Sequence, residues 1–212
     1  MIDLVNNTIS LDLFRKVLKE IKNQSTLYLD MIDSFSDNQF KSKVFLLDQL
    51  TNLGIVNEAT YVVIIGCWYG SILIPVLSSK VSKITGIDLD DRSIRIAKNR
   101  FFPNYKNVYF RTGDTFDTTK NKTIYSDANL IINTSCEHMR PMCEWPYWDS
   151  VKSDAYFAFQ SNNMFGIDGH TNCVNSIIEF KAQMPTKFEA IFENELIEDR
   201  GIRYTLIGKM HP

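Results

Sequence analysis

The chain has 212 residues, 44% of them hydrophobic and 23% charged, with a formal net charge of −2. That length fits one domain with a sizeable core and a short appendage, and the near-neutral balance supplies no overall field for nucleic acid, leaving only local basic patches to serve such a partner. No apolar run approaches a membrane span, and the opening MIDLVNNTISLDLF carries acids where a secretory leader carries bases, so a cytoplasmic protein is expected.

Residues 1–58 read as an N-terminal helical cap or lid. LFRKVLKEI and FKSKVFLLDQL space their apolar residues at three and four, as helices with one buried face do. SFSDNQF between them is rich in turn and capping residues, and Gly54 ends the second helix. The basic face of FRKVLKEIK is explained by a solvated exterior. From residue 59 to 212 the pattern changes. Strands are expected at YVVII (61–65), KITGID (83–88), NVYFR (107–111), ANLIIN (128–133), AYFAFQ (155–160), FEAIFENE (188–195) and RYTLIGK (203–209). The helical segments SILIPVLSSK, DRSIRIAKNRF and CVNSIIEFKAQ fall between them, with an irregular piece after Asn133. Short apolar strands alternating with helices imply a mostly parallel sheet covered on both faces. The last two strands, split only by IEDRG, pair as an antiparallel hairpin. The expected fold is therefore α/β, a doubly wound, Rossmann-like, seven-stranded sheet with a C-terminal hairpin. Cys67, Cys136, Cys143 and Cys173 lack CxxC spacing and read as reduced thiols.

In such a sheet the ligand lies beyond the carboxyl ends of the strands, where chain order reverses. Three strand ends carry markers there. Gly66 and Gly70 bracket a turn after the first. Asp88 ends the second, about 20 residues beyond Gly66, an offset at which an acid accepts hydrogen bonds from a ribose diol. Gly113, Asp114 and Thr115 follow the third, where Asp114 can hold an adenine amino group. Each marker alone is common turn chemistry; the series is specific.

IIGCWYGSILIPVL, TGIDLDDRSIRIAKNRF, RTGD and ANLIINTSCEHM follow in order the motifs of class I S-adenosylmethionine-dependent methyltransferases, and the resemblance covers roughly residues 60–210. The chain also resembles phage-type methyltransferases with an NTSCEH segment. The resemblance implies S-adenosylmethionine as cofactor. It places Gly66 and Gly70 beside the methionine part, Asp88 on the ribose, Leu89 on the adenine face, and Asp114 on the adenine amine, with Gly113 and Thr115 shaping the pocket. The chain departs from the family in two ways: Ile64 and Ile65 stand where an acid is common, and Trp68 replaces the middle glycine. A sulfonium ligand suits that replacement, because an aromatic face attracts an onium cation. Trp68 or Tyr69, flanked by Cys67, is thus expected to wall the methionine end or the substrate pocket. A competing expectation packs both rings against the N-terminal helices. A dinucleotide would prefer GxGxxG.

Candidates for chemistry follow the fourth and fifth strands. Asn133, Ser135, Glu137 and His138 lie in NTSCEHMRPMCEWPYW, and Gln160, Ser161, Asn162, Asn163 and His170 in QSNNMFGIDGH. Asn133 and Ser135 are also expected at the cofactor. His138 is the expected general base, since an imidazole titrates near neutrality, with Glu137 either orienting it or contacting the cofactor. Thr134 and Ser135 stand where amide and exocyclic-amine methylases carry prolines, so such acceptors are not supported. Glu137, His138 and His170 form a conceivable ligand set, but neighbouring residues rarely face one ion and no metal is expected. Trp145, Tyr147 and Trp148 read either as a substrate wall or as the seat of the N-terminal helices or of a second subunit. Without a strongly basic stripe a small-molecule acceptor is expected over RNA or DNA, and nothing marks the oligomeric state. Two other functions share the fold: aminocarboxypropyl transfer or cofactor cleavage, and a degenerate interaction module.

Overall fold

A computed structural model describes residues 11–23, 28–119 and 122–211. Residues 1–10, which hold most of the acidic opening segment, lie outside the described residues. Helices α1 (Leu11–Asn23), α2 (Tyr28–Asp33) and α3 (Asp37–Asn52) precede strand β1 (Tyr61–Ile65). There follow α4 (Leu73–Ser78), β2 (Lys83–Asp88), α5 (Asp91–Ile96) running into a π-helical turn at Ala97–Phe101, β3 (Val108–Thr112), α6 (Lys122–Tyr125) and β4 (Leu130–Asn133). Three single 3₁₀ turns lead to β5 (Tyr156–Asn162), α7 (Ile177–Ala182) and the hairpin of β6 (Phe188–Glu198) and β7 (Gly201–Met210).

The seven strands form one sheet in the order β3-β2-β1-β4-β5-β7-β6. β1 pairs in parallel with both β2 and β4, so chain order reverses between β1 and β4. β7 enters antiparallel between β5 and β6. The sheet is the expected one. Burial follows position: central β1 and β4 are buried throughout, whereas edge strand β6 alternates between solvent-facing and partly covered residues.

Because successive side chains of a strand point to opposite faces, β1 feeds two cores. Val62 and Ile64 join one that contains Leu46, Leu47 and Leu50 of α3, Met31 of α2, Leu13 and Val17 of α1, and Phe101. Tyr61, Val63 and Ile65 join the other, with Tyr125, Trp145, Tyr147, Phe157 and Phe180. The N-terminal helices therefore share a core with the sheet. Polar ties add to this: Ser34 and Ser71 hydroxyls are 2.9 Å apart, and Gln160 of β5 donates to the Ser42 carbonyl at 3.0 Å.

The aromatic run Trp145–Trp148 lies in the second core, not at a substrate wall and not under the N-terminal helices. Trp145 packs edge-on to Tyr125 (4.8 Å) and Trp148, and Trp148 contacts Phe157 at 4.7 Å. Their polar handles are met inside: Trp145 Nε1 donates to Thr115 Oγ1 (3.1 Å) and Trp148 Nε1 to the Met142 carbonyl (2.7 Å). The four cysteines are free thiols, and no helix among the described residues is long and apolar enough to cross a membrane.

Candidate active site

A cavity of about 780 Å³ opens at the carboxyl ends of the strands, over the β1/β4 reversal. The turn after β1 is built on left-handed backbone at alternate residues: Gly66 (φ 60°), Trp68 (φ 49°) and Gly70 (φ 65°). Left-handed backbone favours glycine, since a Cβ there crowds the following carbonyl. Trp68 keeps the geometry without the residue type. What holds it is Asp88: one carboxylate oxygen accepts the Trp68 N–H at 2.6 Å and the other accepts the Asp90 N–H at 2.9 Å. Each oxygen retains a lone pair for a ligand. Burial pushes the Asp88 carboxyl above its ordinary value, against the pull of those two amides.

Neighbouring strand ends are tied into the same rim. Cys67 N–H donates to the Ile87 carbonyl (3.0 Å), and Gly113 N–H to the Asp88 carbonyl (2.9 Å). Ser135 Oγ donates to the Gly66 carbonyl at 3.4 Å. Cys67 itself is buried, its thiol lodged against Gly86, where any Cβ would sit 2.8 Å from the sulfur. The two aromatics of the turn part company. Tyr69 is a core residue, 1% exposed, against Phe101 at 5.9 Å, while Trp68 stays half-buried on the groove.

At the far side of Asp88, Leu89 stands at the rim, 73% exposed, an apolar surface beside a carboxylate. Asp114 caps its own loop by accepting the Phe116 N–H at 2.8 Å. Thr115 lines the groove, with its hydroxyl committed elsewhere. Its hydroxyl is taken by Tyr125 (2.7 Å) and Trp145, so it anchors the floor to the aromatic core.

The opposite end is polar. Asn133 does not belong to it: fully buried, it donates from Nδ2 to the sulfurs of Met139 and Met142 (3.4 Å each) and accepts the Ser135 N–H at 2.9 Å. Its amide shapes the turn into the loop, and its buried side chain does not line the cavity where the catalytic and cofactor roles expected of it would be exercised. Glu137 and His138 instead reach the groove from the 3₁₀ turn Cys136–His138. Glu137 is 3% exposed. Its Oε1 accepts from Asn162 Nδ2 (2.7 Å) and from Arg203 Nη1 (2.8 Å). Glu137 therefore pairs with β7, not with His138. Arg203 sits between Glu137 and the buried Glu198, whose carboxylate is 3.6 Å away. His138 Nδ1 bonds the Gly169 carbonyl (2.9 Å), His170 Nδ1 bonds the Met164 carbonyl (3.1 Å), and the two rings lie 4.6 Å apart, edge to face. Gln160 and Asn162 act as braces: Gln160 bonds Thr205 and the Ser42 carbonyl, and Asn162 orients Glu137.

Lys43, Arg203, Asp30 and Asp33 also line the cavity, and no sequence motif marks any of them. Lys43, itself part-buried, lies one helical turn from Gln39 and from Leu47, in line with the buried Leu46, Leu47 and Leu50 of α3. Burial foremost, then repulsion by Arg203, lowers its pKa to about 7, in spite of Glu137, Glu198 and Asp33. Arg203 interrupts an otherwise apolar strand. In both places a cation inside an apolar pattern was the available signal.

No family model matches the chain, and no curated protein matches it in sequence. Many solved structures match it in shape. The N-methyltransferase NodS from Bradyrhizobium japonicum WM9, in complex with S-adenosylhomocysteine, superposes with a TM-score of 0.66 at 13% identity, over 95% of this chain and 100% of that one. An S-adenosylmethionine-dependent methyltransferase from Clostridium acetobutylicum gives 0.62 at 12%, over 90% and 99%. YcgJ from Bacillus subtilis gives 0.63 at 12%, over 79% and 99%. At such identities the likeness is one of fold.

Proposed function

We propose that the chain is an S-adenosylmethionine-dependent methyltransferase acting on a small-molecule acceptor. The observation that carries this is Asp88, its carboxylate fixed by two backbone amides at the tip of β2 and aimed along the groove that the Gly66–Gly70 turn and Gly113 border. Two lone pairs on an oriented carboxylate suit the vicinal hydroxyls of a ribose. Leu89 and the Gly113–Asp114 backbone then flank the adenine. Trp68 offers a half-buried ring to the sulfonium end. Asp30 and Asp33 of α2 line the same cavity. They replace in space the acid missing after β1, and suit the ammonium of the methionine tail.

Methyl transfer is an in-line displacement: the acceptor's lone pair forms the new bond to carbon, the carbon–sulfur bond breaks, and sulfur keeps the electron pair as S-adenosylhomocysteine. The acceptor's proton, where it has one, must go to a base. The His138 imidazole and the Lys43 amine, the latter with its pKa at about 7, are the groups at the acceptor end able to take it. The rest is alignment.

Calorimetry with S-adenosylmethionine and S-adenosylhomocysteine tests the reading. Both are expected to bind the wild type, and Asp88→Ala to weaken them by roughly 1–3 kcal/mol, the worth of hydrogen bonds to a charged group. Wild-type protein that binds neither at millimolar ligand is an interaction module. Turnover that leaves methylthioadenosine in place of S-adenosylhomocysteine marks aminocarboxypropyl transfer or cofactor cleavage.

A further inference from the structure

We propose that Glu137, His138 and His170 hold a divalent transition-metal ion at the acceptor end of the groove, with its remaining coordination positions open to the acceptor. One ligand atom from each of the three lies within 4.8 Å of the other two. The inference takes from the proposed function only the direction in which the acceptor lies.

Three further observations point to a cation. First, Glu137 Oε1 is engaged by Asn162 and Arg203, yet its Oε2 is buried with no hydrogen-bond partner among the described residues. An ionised carboxylate with one orphaned oxygen is costly unless a positive ligand meets it. Second, each histidine spends Nδ1 on a backbone carbonyl, His138 on Gly169 and His170 on Met164. A carbonyl only accepts, so Nδ1 carries the proton in both rings, and in the neutral imidazole Nε2 is then the nitrogen with a lone pair to give. This is the way outer-shell hydrogen bonds prepare imidazoles for metals. Third, the donors come from supports of different stiffness. Glu137 is clamped by β5 and β7, whereas His138 is exposed and His170 sits in the loop after β5. Bonds of about 2.1 Å put neighbouring ligands roughly 3–3.5 Å apart, so loading draws the histidines in by about an ångström while the carboxylate stays fixed.

Two imidazoles and one carboxylate select a first-row transition ion over magnesium or calcium, which take all-oxygen shells. With three protein ligands, open positions remain for an oxygen of the acceptor, whose proton such an ion makes easier to remove. His138 then serves as ligand, a proposal that departs from the sequence-based expectation of no metal because ligand atoms of the neighbours at 137 and 138 lie within 4.8 Å of each other and of one from His170.

The test uses untagged, full-length protein stripped with EDTA and titrated with Co(II), followed by visible absorption, with Mn(II) and Zn(II) as competitors. One equivalent is expected to bind with ligand-field bands that both competitors displace. His138→Ala and His170→Ala are each expected to weaken Co(II) at least about tenfold while leaving the thermal midpoint in place. Glu137→Gln strands Arg203 and can unfold the protein, so the two histidine variants are the decisive ones. No Co(II) binding, or binding that neither histidine variant alters, overturns the proposal. S-adenosylhomocysteine titrated in EDTA separates the two readings: its failure to bind strikes the methyl-transfer assignment and leaves the Co(II) result standing by itself.

Discussion

At Trp68 the backbone does what a glycine ordinarily does there, with φ at 49°. Sequence spacing made Gly66, Gly70 and Asp88 legible as a set, because glycine and acid after a strand are chemically marked. It could not show that the intervening tryptophan adopts the same left-handed turn, which depends on Asp88 receiving its N–H. Asn133 erred the other way. Its place at the end of β4 suggested chemistry, but its side chain is buried against two methionine sulfurs and the Ser135 amide, outside the cavity lining. Lys43 was passed over as a site residue because FKSKVFLLDQL was read only for its apolar spacing, although a cation in line with that stripe was there to be seen. Its pKa, lowered from 10.5 to about 7, has a measurable consequence. Between those two values the folded protein binds fewer protons at this residue than the unfolded chain, so its contribution to stability rises with pH through that window. Lys43→Gln removes the titration. The wild-type melting temperature minus that of Lys43→Gln is expected to climb from pH 7 to pH 10; a flat difference would place the ammonium in water.

Among the elements, strands were the easier reading. β1 and β2 have the bounds their apolar runs suggest, and β6 and β7 extend further, meeting at Asp199–Arg200. Helix α2 went unread, since six residues give periodicity too little length. DRSIRIAKNRF was legible as helix, but its second half is wound as π-helix from Ala97 to Phe101, which local spacing does not distinguish. What the helices before β1 do is decided by packing. Leu46 of α3 is 0% exposed in the core shared with β1 and β4. Leu46→Ala is therefore expected to cost about 2–5 kcal/mol of global stability through the cavity it leaves, read as one cooperative denaturant transition at lower midpoint. A detachable lid would instead leave the main transition where it was.

For the molecule as a whole, the mostly parallel seven-stranded sheet and the C-terminal hairpin were legible because apolar period and turn signals are local; the strand order itself came from the structure. The acceptor end was only half legible: its residues come from α3, the loop after β4, the loop after β5, and β7. No local signal joins pieces that far apart in the chain. Ligand linkage supplies the test at this scale. With S-adenosylhomocysteine at 100 times its dissociation constant, stabilisation is about 2.7 kcal/mol. For a domain of this size that raises the melting temperature by roughly 5–10 °C. Scanning fluorimetry with and without the compound reads it directly, and an unmoved midpoint at saturation counts against the groove.

The ion pair between Glu137 and Arg203 joins residues 66 apart in the chain. On the ribosome, the half of the groove bordered by Gly66–Gly70, Asp88 and Gly113 has its residues once β3 and its loop have emerged, whereas the Glu137 carboxylate waits for the final strand before its counter-charge arrives. A nascent chain halted before Gly201 is expected to have the turns after β1, β2 and β3 in outline with the Glu137 end of the groove unassembled, so the order of synthesis completes one half of the groove before the other.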